Sequence, residues 1–185
     1  MNTSGISPRR VKIRNSELKK RLRKIKLLLL DVDGVLTDNS VYLNDSGKET
    51  KRFNVADGLG IYFARKSGIK VGFLSGRTSK SAKIRGKELK VKELHFGIKN
   101  KLKRYEEIRK ALKLKDDEVL YMGDDLWDYE VFEKAGVPVG VKNGDKRINR
   151  LALYVTKKRG GEGAVREVVD LILETRGINP LRYLK

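Results

Sequence analysis

The stretch that decides the fold is K-L-L-L-L-D-V-D-G-V-L-T-D, residues 26–38, in which four leucines run directly into Asp31 and Asp33. A short, uninterrupted apolar run of this kind favours a strand buried in a sheet. The two aspartates then stand at the carboxyl end of that strand, one residue apart. There, one carboxylate can attack a phosphorus atom, and the other can donate a proton to the leaving oxygen. An isolated Asp-x-Asp-Gly also fits a helix cap followed by a turn, so the motif alone leaves both interpretations open.

Outward from this strand, apolar runs alternate with amphipathic segments, which is the pattern of parallel strands connected by helices. The predicted strands are 27–30, 69–74, 93–96, 118–122, 137–141 and 152–155. The predicted helices are 57–66, 79–89, 100–112, 126–135, 145–150 and 163–175, preceded by a short helix over 16–24. The sequence therefore predicts an α/β fold.

One interval, 40–54, breaks this alternation. N-D-S-G at 44–47 separates two strand-like runs, which indicates a β-hairpin inserted after the first strand. Ligands of open parallel sheets bind at the edge where strands end and helices begin, and a hairpin at this point would overhang that edge. It could therefore act as a lid or as an assembly surface.

Two further strand ends carry groups that suit a phosphate. F-L-S-G-R-T at 73–78 places Ser75 where its hydroxyl and the first amides of a helix can donate to phosphate oxygens. An ordinary capped turn explains that segment equally well. Lys101 stands at the start of a predicted helix, where a cation is poorly matched to the helix dipole. It could neutralise a bound phosphate and Asp31, or it could be a solvated surface residue.

The fourth strand end is V-L-Y-M-G-D-D-L-W-D at 119–128, whose acids would face those of the first strand. Mg²⁺ takes oxygen ligands and keeps several waters, so Asp31, Asp124 and the Asp33 carbonyl would suffice together with phosphate. Gly-Asp-Asp by itself is also a common loop or cap. Four strand ends in the order Asp-x-Asp, Ser, Lys and Gly-Asp-Asp, however, supply a nucleophile, an acid, phosphate donors and metal ligands at one sheet edge. This combination predicts phosphoryl transfer.

In their order and spacing, these four motifs resemble those of the haloacid dehalogenase superfamily. The likeness extends to a narrower family, the 3-deoxy-D-manno-octulosonate 8-phosphate phosphatases. It is carried over about residues 22–176 by D-V-D-G-V-L-T-D, the hairpin leading into F-N-V-A-D-G, L-S-G-R, G-D-D and G-G-E-G-A-V-R-E. The resemblance implies a Rossmann-like three-layer sandwich with a central, mostly parallel sheet, the inserted β-hairpin and no large cap domain. It also implies a homotetramer in which the hairpins pack together and neighbouring subunits help to enclose each active site.

The resemblance implies roles for individual residues as well. Asp31 would be the nucleophile and Asp33 the acid and base. The residues associated with Mg²⁺ would be Asp31, Asp33 and Asp124. Those that contact phosphate would be Ser75, Gly76 and Lys101. Those that face the sugar acid would be Asp33, Asn54, Val55, Ala56, Asp57, Gly58, Arg77, Arg85 and Lys101.

Two positions depart from this narrower family. Tyr62 stands where its members often have an arginine, and Glu162 interrupts the late glycine segment where arginine is common. Guanidinium groups suit a sugar-acid carboxylate or a phosphate, so the loss of one changes what the site can recognise. Either departure could therefore alter substrate preference.

Composition sets the remaining limits. A chain of 185 residues is about the size of one domain, and the absence of cysteine excludes disulfides and thiol chemistry. The formal charge is +19, and residues 1–26 carry ten Lys or Arg against one acid. The predicted division is a basic arm over 1–21 that is partly disordered or helical, a phosphatase domain over 22–176, and a tail over 177–185 at a subunit interface. No apolar run is long enough for a signal peptide or a membrane span, which predicts a cytoplasmic protein without a membrane partner.

Three other functions stay open at this point. The nearest enzyme is a phosphatase of a nine-carbon sugar-acid 9-phosphate or of another small phosphate. The basic arm could instead bind nucleic acid or an acidic partner, but it lacks the interleaved aromatic residues of single-strand binders, so nucleic acid is the less favoured partner. A non-catalytic assembly module would not require the full set of reactive groups. The leading hypothesis is therefore a Mg²⁺-dependent phosphatase of a small phosphorylated sugar acid.

Overall fold

One parallel sheet organises the chain between residues 15 and 184, the range that the computed structural model describes. The strands are β1 Leu27–Leu30, β2 Tyr42–Leu43, β3 Glu49–Thr50, β4 Lys70–Leu74, β5 Glu93–His95, β6 Val119–Gly123, β7 Val137–Gly140 and β8 Tyr154–Val155. Within this range, β2 and β3 pair as an antiparallel hairpin, and the other strands form a sheet of order β5-β4-β1-β6-β7-β8 with parallel neighbours. Because β1 lies between β4 and β6, the predicted strand-end motifs share one edge.

Helices cover both faces of this sheet. They are α1 Asn15–Lys24, α2 Val55–Lys66, α3 Lys80–Glu88, α4 Lys101–Ala111, α5 Tyr129–Lys134, α6 Lys146–Leu151 and α7 Ala164–Thr175. Short 3₁₀ turns lie at Asp116–Glu118, Leu126–Asp128 and Pro180–Tyr183. α7 packs on α1 and α2 at one face, while α5 packs on α4 and α6 at the other. The result is the three-layer arrangement typical of βα alternation.

The four leucines of β1 are divided between two hydrophobic cores. Leu28 and Leu30 pack in the core beneath α1, α2 and α7, whereas Leu27 and Leu29 pack in the core beneath α4, α5 and α6. All four are fully buried. Side chains of a strand alternate between the two faces of a sheet, so a strand covered on both sides must be apolar at every position. This explains why the decisive stretch is an unbroken apolar run.

The predicted fold class is confirmed, and the differences lie in element bounds. β1 has the predicted bounds, and the ends of the other predicted strands differ by at most two residues, the largest difference being at the start of β8. The predicted helix 126–135 divides into a 3₁₀ turn and α5, and the Asp125 side chain caps the start of the turn by accepting a hydrogen bond from the Leu126 amide at 2.6 Å. The short helix expected over 16–24 begins at Asn15, while residues 1–14 of the predicted basic arm lie outside the described range.

The predicted hairpin is present, although each of its strands is only two residues long. Its turn is held by the Asn44 side chain, which accepts a hydrogen bond from the Lys48 amide at 2.8 Å. Glu49 ties the hairpin to the rest of the domain. The Ser81 hydroxyl donates to its carbonyl oxygen at 3.3 Å, and the Arg77 guanidinium donates to its carboxylate at 2.6 Å. The hairpin is therefore anchored at the edge of the sheet where the strand-end motifs meet.

The late glycine segment packs against the loop that follows β1. A Cβ atom on Gly160 would lie 1.6 Å from the Gly34 carbonyl oxygen, and one on Gly161 would lie 2.5 Å from the Asp38 nitrogen. The Gly161 amide also donates to the Val35 carbonyl at 3.0 Å. Backbone meets backbone at this point, so only glycine permits the approach that holds the loop after β1 in place.

We expect Gly160→Ala to destabilise the fold, because the methyl group would collide with backbone that cannot yield as a flexible side chain would. The loss should be on the order of 2–3 kcal/mol, which is typical of overpacking. Gly47→Ala is the control: nothing lies within 4 Å of its Cβ position, and its φ of 73° costs only about 1–2 kcal/mol. Urea denaturation measures both variants. Equal losses would contradict the steric role of Gly160.

Candidate active site

A cavity of about 540 Å³ opens where β1, β4 and β6 end. The predicted site residues that line it are Asp31, Asp33, Ser75, Gly76, Arg77, Lys101 and Asp124. Further lining residues that the sequence reasoning did not assign are Asn39, Ile98, Lys99, Asp125 and Trp127. The tertiary structure thus brings all four sequence motifs together in one cavity.

Lys101, the first residue of α4, joins two of these motifs. Its Nζ donates to Asp31 Oδ2 at 2.7 Å and to Asp128 Oδ1 at 2.6 Å. Burial by itself lowers the pKa of Lys101, but the two adjacent carboxylates outweigh it and raise the pKa above its ordinary value. A lysine at a helix start is unfavourable to the helix dipole, and here the two aspartates compensate for it. Lys101 is therefore held as a cation inside the cavity.

Asp31 is buried at the end of β1. Its Oδ1 accepts a hydrogen bond from the Val32 amide at 2.7 Å, and its Oδ2 accepts one from Lys101. Burial, followed by repulsion from Asp128, raises the pKa of Asp31 to about 7, against the opposing effect of Lys101. The pKa of the Asp31 carboxyl group is therefore close to neutral pH, and the group faces the cavity.

Asp128 is a residue to which the sequence reasoning gave no role, although it ends the quoted Gly-Asp-Asp segment. It is fully buried, and its Oδ1 accepts hydrogen bonds from Lys101 and from the Tyr121 hydroxyl, both at 2.6 Å. Its Oδ2 accepts one from the Asp124 amide at 2.9 Å. The sequence feature that could have identified Asp128 is its spacing, because it lies four residues after Asp124 and a single turn brings it back beneath that residue. Asp128 positions Lys101 from below the cavity.

Asp124 presents its carboxylate to the cavity above Asp128. Burial raises the pKa of Asp124 to about 8, assisted by repulsion from Asp31 and Asp128. A Cβ atom on Gly34 would lie 2.0 Å from Asp124 Oδ2, so glycine in the loop after β1 makes room for this carboxylate. Asn39, on the same loop, approaches Asp124 Oδ2 with its amide nitrogen at 3.4 Å.

Asp33 faces a different set of partners. Lys51 donates a hydrogen bond to its Oδ1, and the Arg77 Nε lies 3.9 Å from its Oδ2. The side chain is about one-sixth exposed, at 17%. The two aspartates of the Asp-x-Asp motif are therefore in separate surroundings, Asp31 among Lys101 and Asp128 and Asp33 among the cations near the hairpin.

The second motif forms the wall opposite Asp124. Ser75 is buried at the end of β4, and its hydroxyl oxygen accepts a hydrogen bond from the Arg77 amide at 3.2 Å. Its backbone carbonyl accepts from the Ile98 amide at 3.1 Å, which connects this wall to the segment leading into α4. Ser75 and Gly76 consequently face the cavity across from the aspartates.

The remaining predicted substrate residues cluster at the start of α2, outside the residues that line the cavity between positions 15 and 184. Asn54 caps α2 by accepting from the Ala56 amide at 2.8 Å, and Val55 is exposed. Asp57 is buried and accepts from the Gly163 and Arg166 amides at 3.2 and 2.8 Å, so it caps α7.

Gly58 and Arg85 lie against each other in this cluster. A Cβ atom on Gly58 would approach the Arg85 guanidinium to 2.4 Å, and that guanidinium also pairs with Glu88 at 2.9 Å. Contact of this cluster with substrate stays a prediction.

The structure also shows where the two residues that depart from the narrower family, Tyr62 and Glu162, lie. The Tyr62 hydroxyl donates to the Tyr183 carbonyl at 2.9 Å and so fastens the C-terminal 3₁₀ turn to α2. Glu162 is exposed in the glycine segment just before α7. Neither residue is among those that line the cavity within the described range.

Sequence comparison assigns the chain to a family. Residues 97–168 match the haloacid dehalogenase-like hydrolase family. The 3-deoxy-D-manno-octulosonate 8-phosphate phosphatase of Escherichia coli (strain K12) is 42% identical over 157 residues, which cover 85% of this chain and 84% of that protein. This chain is a haloacid dehalogenase-like hydrolase.

Solved structures show the same hydrolase fold. The 3-deoxy-D-manno-octulosonate 8-phosphate phosphatase of Yersinia pestis superposes with a TM-score of 0.85 at 39% identity, covering 87% of each chain. The enzyme of that name from Moraxella catarrhalis, solved with magnesium, phosphate and KDO, gives a TM-score of 0.88 at 36% identity and covers 92% of this chain and 98% of its own. The likeness therefore extends over nearly the whole domain.

The donor set of this hydrolase fits Mg²⁺. Asp31, Asp124 and Asp128 can each offer one carboxylate oxygen within 4.8 Å of the others. Lys101 supplies a single positive charge among them, and a divalent cation with a preference for oxygen would relieve the remaining repulsion. Asp31 and Asp124 line the cavity, whereas Asp128 lies beneath them. Asp33 lies outside this group of three, so its predicted association with the metal stays a prediction.

The helices of the hydrolase domain are short, with 6 to 12 residues each in the described range. Between residues 15 and 184, none is long and apolar enough to cross a membrane.

In metal-free buffer, we expect the wild-type protein to lose stability as the pH rises from about 4 to about 8. Folding favours the protonated forms of Asp31 and Asp124, because the folded-state pKa values of about 7 and about 8 exceed the unfolded value of 3.8. Their contribution is fully present below the unfolded pKa and is lost as the pH rises through the folded pKa values.

Asp124→Asn should therefore be the more stable protein at pH 8 without metal, by on the order of 1–3 kcal/mol, and the gap should shrink towards pH 5. Mg²⁺ should reverse the order at pH 8, since it stabilises only the intact site. Thermal unfolding at both pH values, with and without Mg²⁺, measures these effects. A variant that is less stable at pH 8 without metal would contradict the expectation.

Proposed function

We propose that this chain is a Mg²⁺-dependent phosphatase that hydrolyses 3-deoxy-D-manno-octulosonate 8-phosphate to the free sugar acid and phosphate, a step of lipopolysaccharide precursor synthesis. The observation that carries the chemistry is the buried contact of Lys101 with Asp31 at 2.7 Å, in a cavity that Asp33, Ser75 and Asp124 also line. The substrate follows from the relatives, which carry that activity in their names and match the chain over more than four-fifths of its length.

Asp31 is the nucleophile in this proposal. Its Oδ attacks the phosphorus atom in line, the ester P–O bond breaks, and an aspartyl-phosphate forms. Lys101 neutralises the charge on the carboxylate and on the incoming phosphoryl group, and Asp128 holds the Lys101 ammonium in place. When Mg²⁺ is bound, held by Asp31 and Asp124, it supplies further charge stabilisation to the phosphoryl oxygens.

Asp33 moves the protons. It donates one to the departing sugar-acid alkoxide, and it then takes one from the water that attacks the aspartyl-phosphate and regenerates Asp31. The Ser75 hydroxyl and the amides near Gly76 donate to the phosphoryl oxygens from the opposite wall. A residue that must be protonated in one step and ionised in the next predicts a bell-shaped dependence of rate on pH.

Recognition of the sugar acid falls to Arg77 and to groups brought by neighbouring subunits. The Arg77 guanidinium lines the cavity mouth and is about half exposed, so it can reach a substrate carboxylate. Asn54, Val55, Ala56, Asp57, Gly58 and Arg85 are proposed to face the substrate in the assembled enzyme. None of these six residues lines the cavity of a single chain in the described range. Their proposed contact with substrate therefore depends on the homotetramer, in which they would reach the active site of a neighbouring subunit.

The hairpin supports the proposed tetramer. Val41, Tyr42 and Leu43 are 45%, 48% and 66% exposed, which places three neighbouring apolar side chains on the surface of a short, two-stranded element. Isolated hairpins are marginally stable in water, so packing against other hairpins would bury this surface.

We also propose a cytoplasmic location and the division of the chain into a basic arm over 1–21, a phosphatase domain over 22–176 and a tail over 177–185.

Leu43→Asp should convert the tetramer to smaller species, because a charge would be buried at the hairpin contact. Sedimentation equilibrium measures the assembly, and circular dichroism checks that the fold is kept. Val155→Asp, on the edge strand β8 and 37% exposed, is the control and should leave the tetramer intact. A wild-type protein that sediments as a monomer would end the tetramer proposal.

The substrate test is phosphate release, with Mg²⁺, from 3-deoxy-D-manno-octulosonate 8-phosphate, a nine-carbon sugar-acid 9-phosphate and a hexose phosphate. We expect preference for the first, and Asp31→Asn should lower turnover at least about a thousandfold while the fold is kept. Asp45→Asn, in the exposed hairpin turn, should retain full activity. Near-normal activity of Asp31→Asn would overturn the mechanism.

The nine-carbon substrate is the second candidate, because Tyr62 and Glu162, at positions where the eight-carbon family often has arginine, leave the choice between the two substrates open. Preference for the nine-carbon phosphate would keep the phosphatase and replace the named substrate. Absence of activity on all three would remove the phosphatase proposal and leave binding through the basic arm as the alternative.

A further inference from the structure

Lys51 is a buried cation that the chemistry derived above does not use. It follows β3 at the exit of the hairpin, and no part of its side chain is accessible to water. Its Nζ pairs with Asp33 Oδ1 and lies 3.3 Å from Glu49 Oε1. A lysine is almost never fully buried unless it is paired, so the partners explain its burial.

Lys51 and Lys101 are the two buried lysines among residues 15–184, and each pairs with one aspartate of the Asp-x-Asp motif. Lys101 contacts Asp31, and Lys51 contacts Asp33. Lys101 lines the cavity and can touch a phosphate, whereas Lys51 is absent from the cavity lining in the described range. Of the two residues that Lys51 pairs with, Asp33 and Glu49, Asp33 is the one that lines the cavity.

The Asp33 carboxylate is held from both sides. Its Oδ1 accepts from Lys51, and its Oδ2 lies 3.9 Å from Arg77 Nε. Glu49 bridges the two cations, since it lies beside Lys51 and accepts from Arg77 at 2.6 Å. Two cations and two anions thus form a closed ring of charge, and rotation of Asp33 would break an ion pair that is shielded from water.

We propose that Lys51 is a positioning residue, which holds the Asp33 carboxylate in the orientation required for proton transfer to the leaving group and so couples the hairpin to catalysis. This inference rests on the proposed function, in which Asp33 is the acid and base. Lys51 reaches Asp33 from the hairpin exit, so the hairpin contributes to the active site of its own chain as well as to any assembly surface.

The proposal predicts a dependence on the leaving group. An alkoxide needs a proton to depart, whereas p-nitrophenolate leaves readily without one. Loss of a well-placed Asp33 should therefore lower kcat/KM for an alkyl phosphate much more than for p-nitrophenyl phosphate. Because kcat/KM reports steps only up to departure of the leaving group, later hydrolysis of the aspartyl-phosphate does not enter the comparison.

The experiment compares wild type, Lys51→Met and Lys51→Arg on p-nitrophenyl phosphate and on the alkyl phosphate that wild type hydrolyses best. We expect Lys51→Met to lose at least about tenfold more kcat/KM on the alkyl phosphate than on the aryl phosphate, since general acid catalysis contributes about a hundredfold or more. Lys51→Arg, which keeps the charge, should recover part of the difference. Lys48→Met, an exposed lysine of the same hairpin, should behave as wild type.

Equal losses on the two substrates, or an alkyl kcat/KM within about twofold of wild type, would overturn the positioning role while the proposed function stood. If Lys51→Met fails to fold, Glu49→Gln, which loosens the ring and keeps both of its cations, Lys51 and Arg77, must show the same selective loss or the inference falls. If wild type and Lys48→Met hydrolyse neither substrate, the proposed function falls and this inference with it.

Discussion

The active site depends on two buried ion pairs that share one cation, Lys101, with the carboxylates of Asp31 and Asp128. Lys101 starts α4, Asp31 ends β1 and Asp128 closes the turn after β6, so these contacts fix three separate elements relative to one another. Removing the lysine would leave buried carboxylates without a compensating cation, which costs about 3–5 kcal/mol. The three neighbouring carboxylates of Asp31, Asp124 and Asp128 carry more negative charge than the single Lys101 ammonium can balance. That excess is the physical reason for a divalent cation at this edge.

The parallel sheet makes these contacts possible. β1 lies in its centre, fully covered on both faces, and its rigid end presents the Asp-x-Asp loop towards β4 and β6. Glycines at Gly34, Gly160 and Gly161 allow the loop, the Asp124 carboxylate and the segment before α7 to approach within distances that any side chain would prevent. The geometry of the carboxylates in the cavity therefore depends on close backbone packing behind them as well as on their contacts with Lys101.

The two aspartates of one motif pair with different cations. Asp31 shares Lys101 with Asp128 on the floor of the cavity, while Asp33 shares Lys51 and Arg77 with Glu49 beside the hairpin. Carboxylates one residue apart can act as nucleophile and as acid only when their surroundings differ. Under the proposed mechanism, in which Asp31 is the nucleophile and Asp33 the acid, the residues around the hairpin supply that difference.

The sequence by itself determined the α/β class, the strand order along the chain and the strand ends that carry reactive groups. These follow from local patterns: an apolar run marks a strand buried on both faces, and reactive residues at the ends of parallel strands meet at one edge. Asp31, Ser75, Lys101 and Asp124 were found in this way.

Only the tertiary structure decided the partners of these residues. Asp128 as the support of Lys101, Lys51 as the partner of Asp33, and Asp57 as the cap of α7 join residues between 18 and 109 positions apart in the chain. The pairing of such residues is set by how helices, hairpin and sheet pack, and no local periodicity encodes it. The extent to which a charged side chain is removed from water, and hence its ionisation, is determined by the same packing.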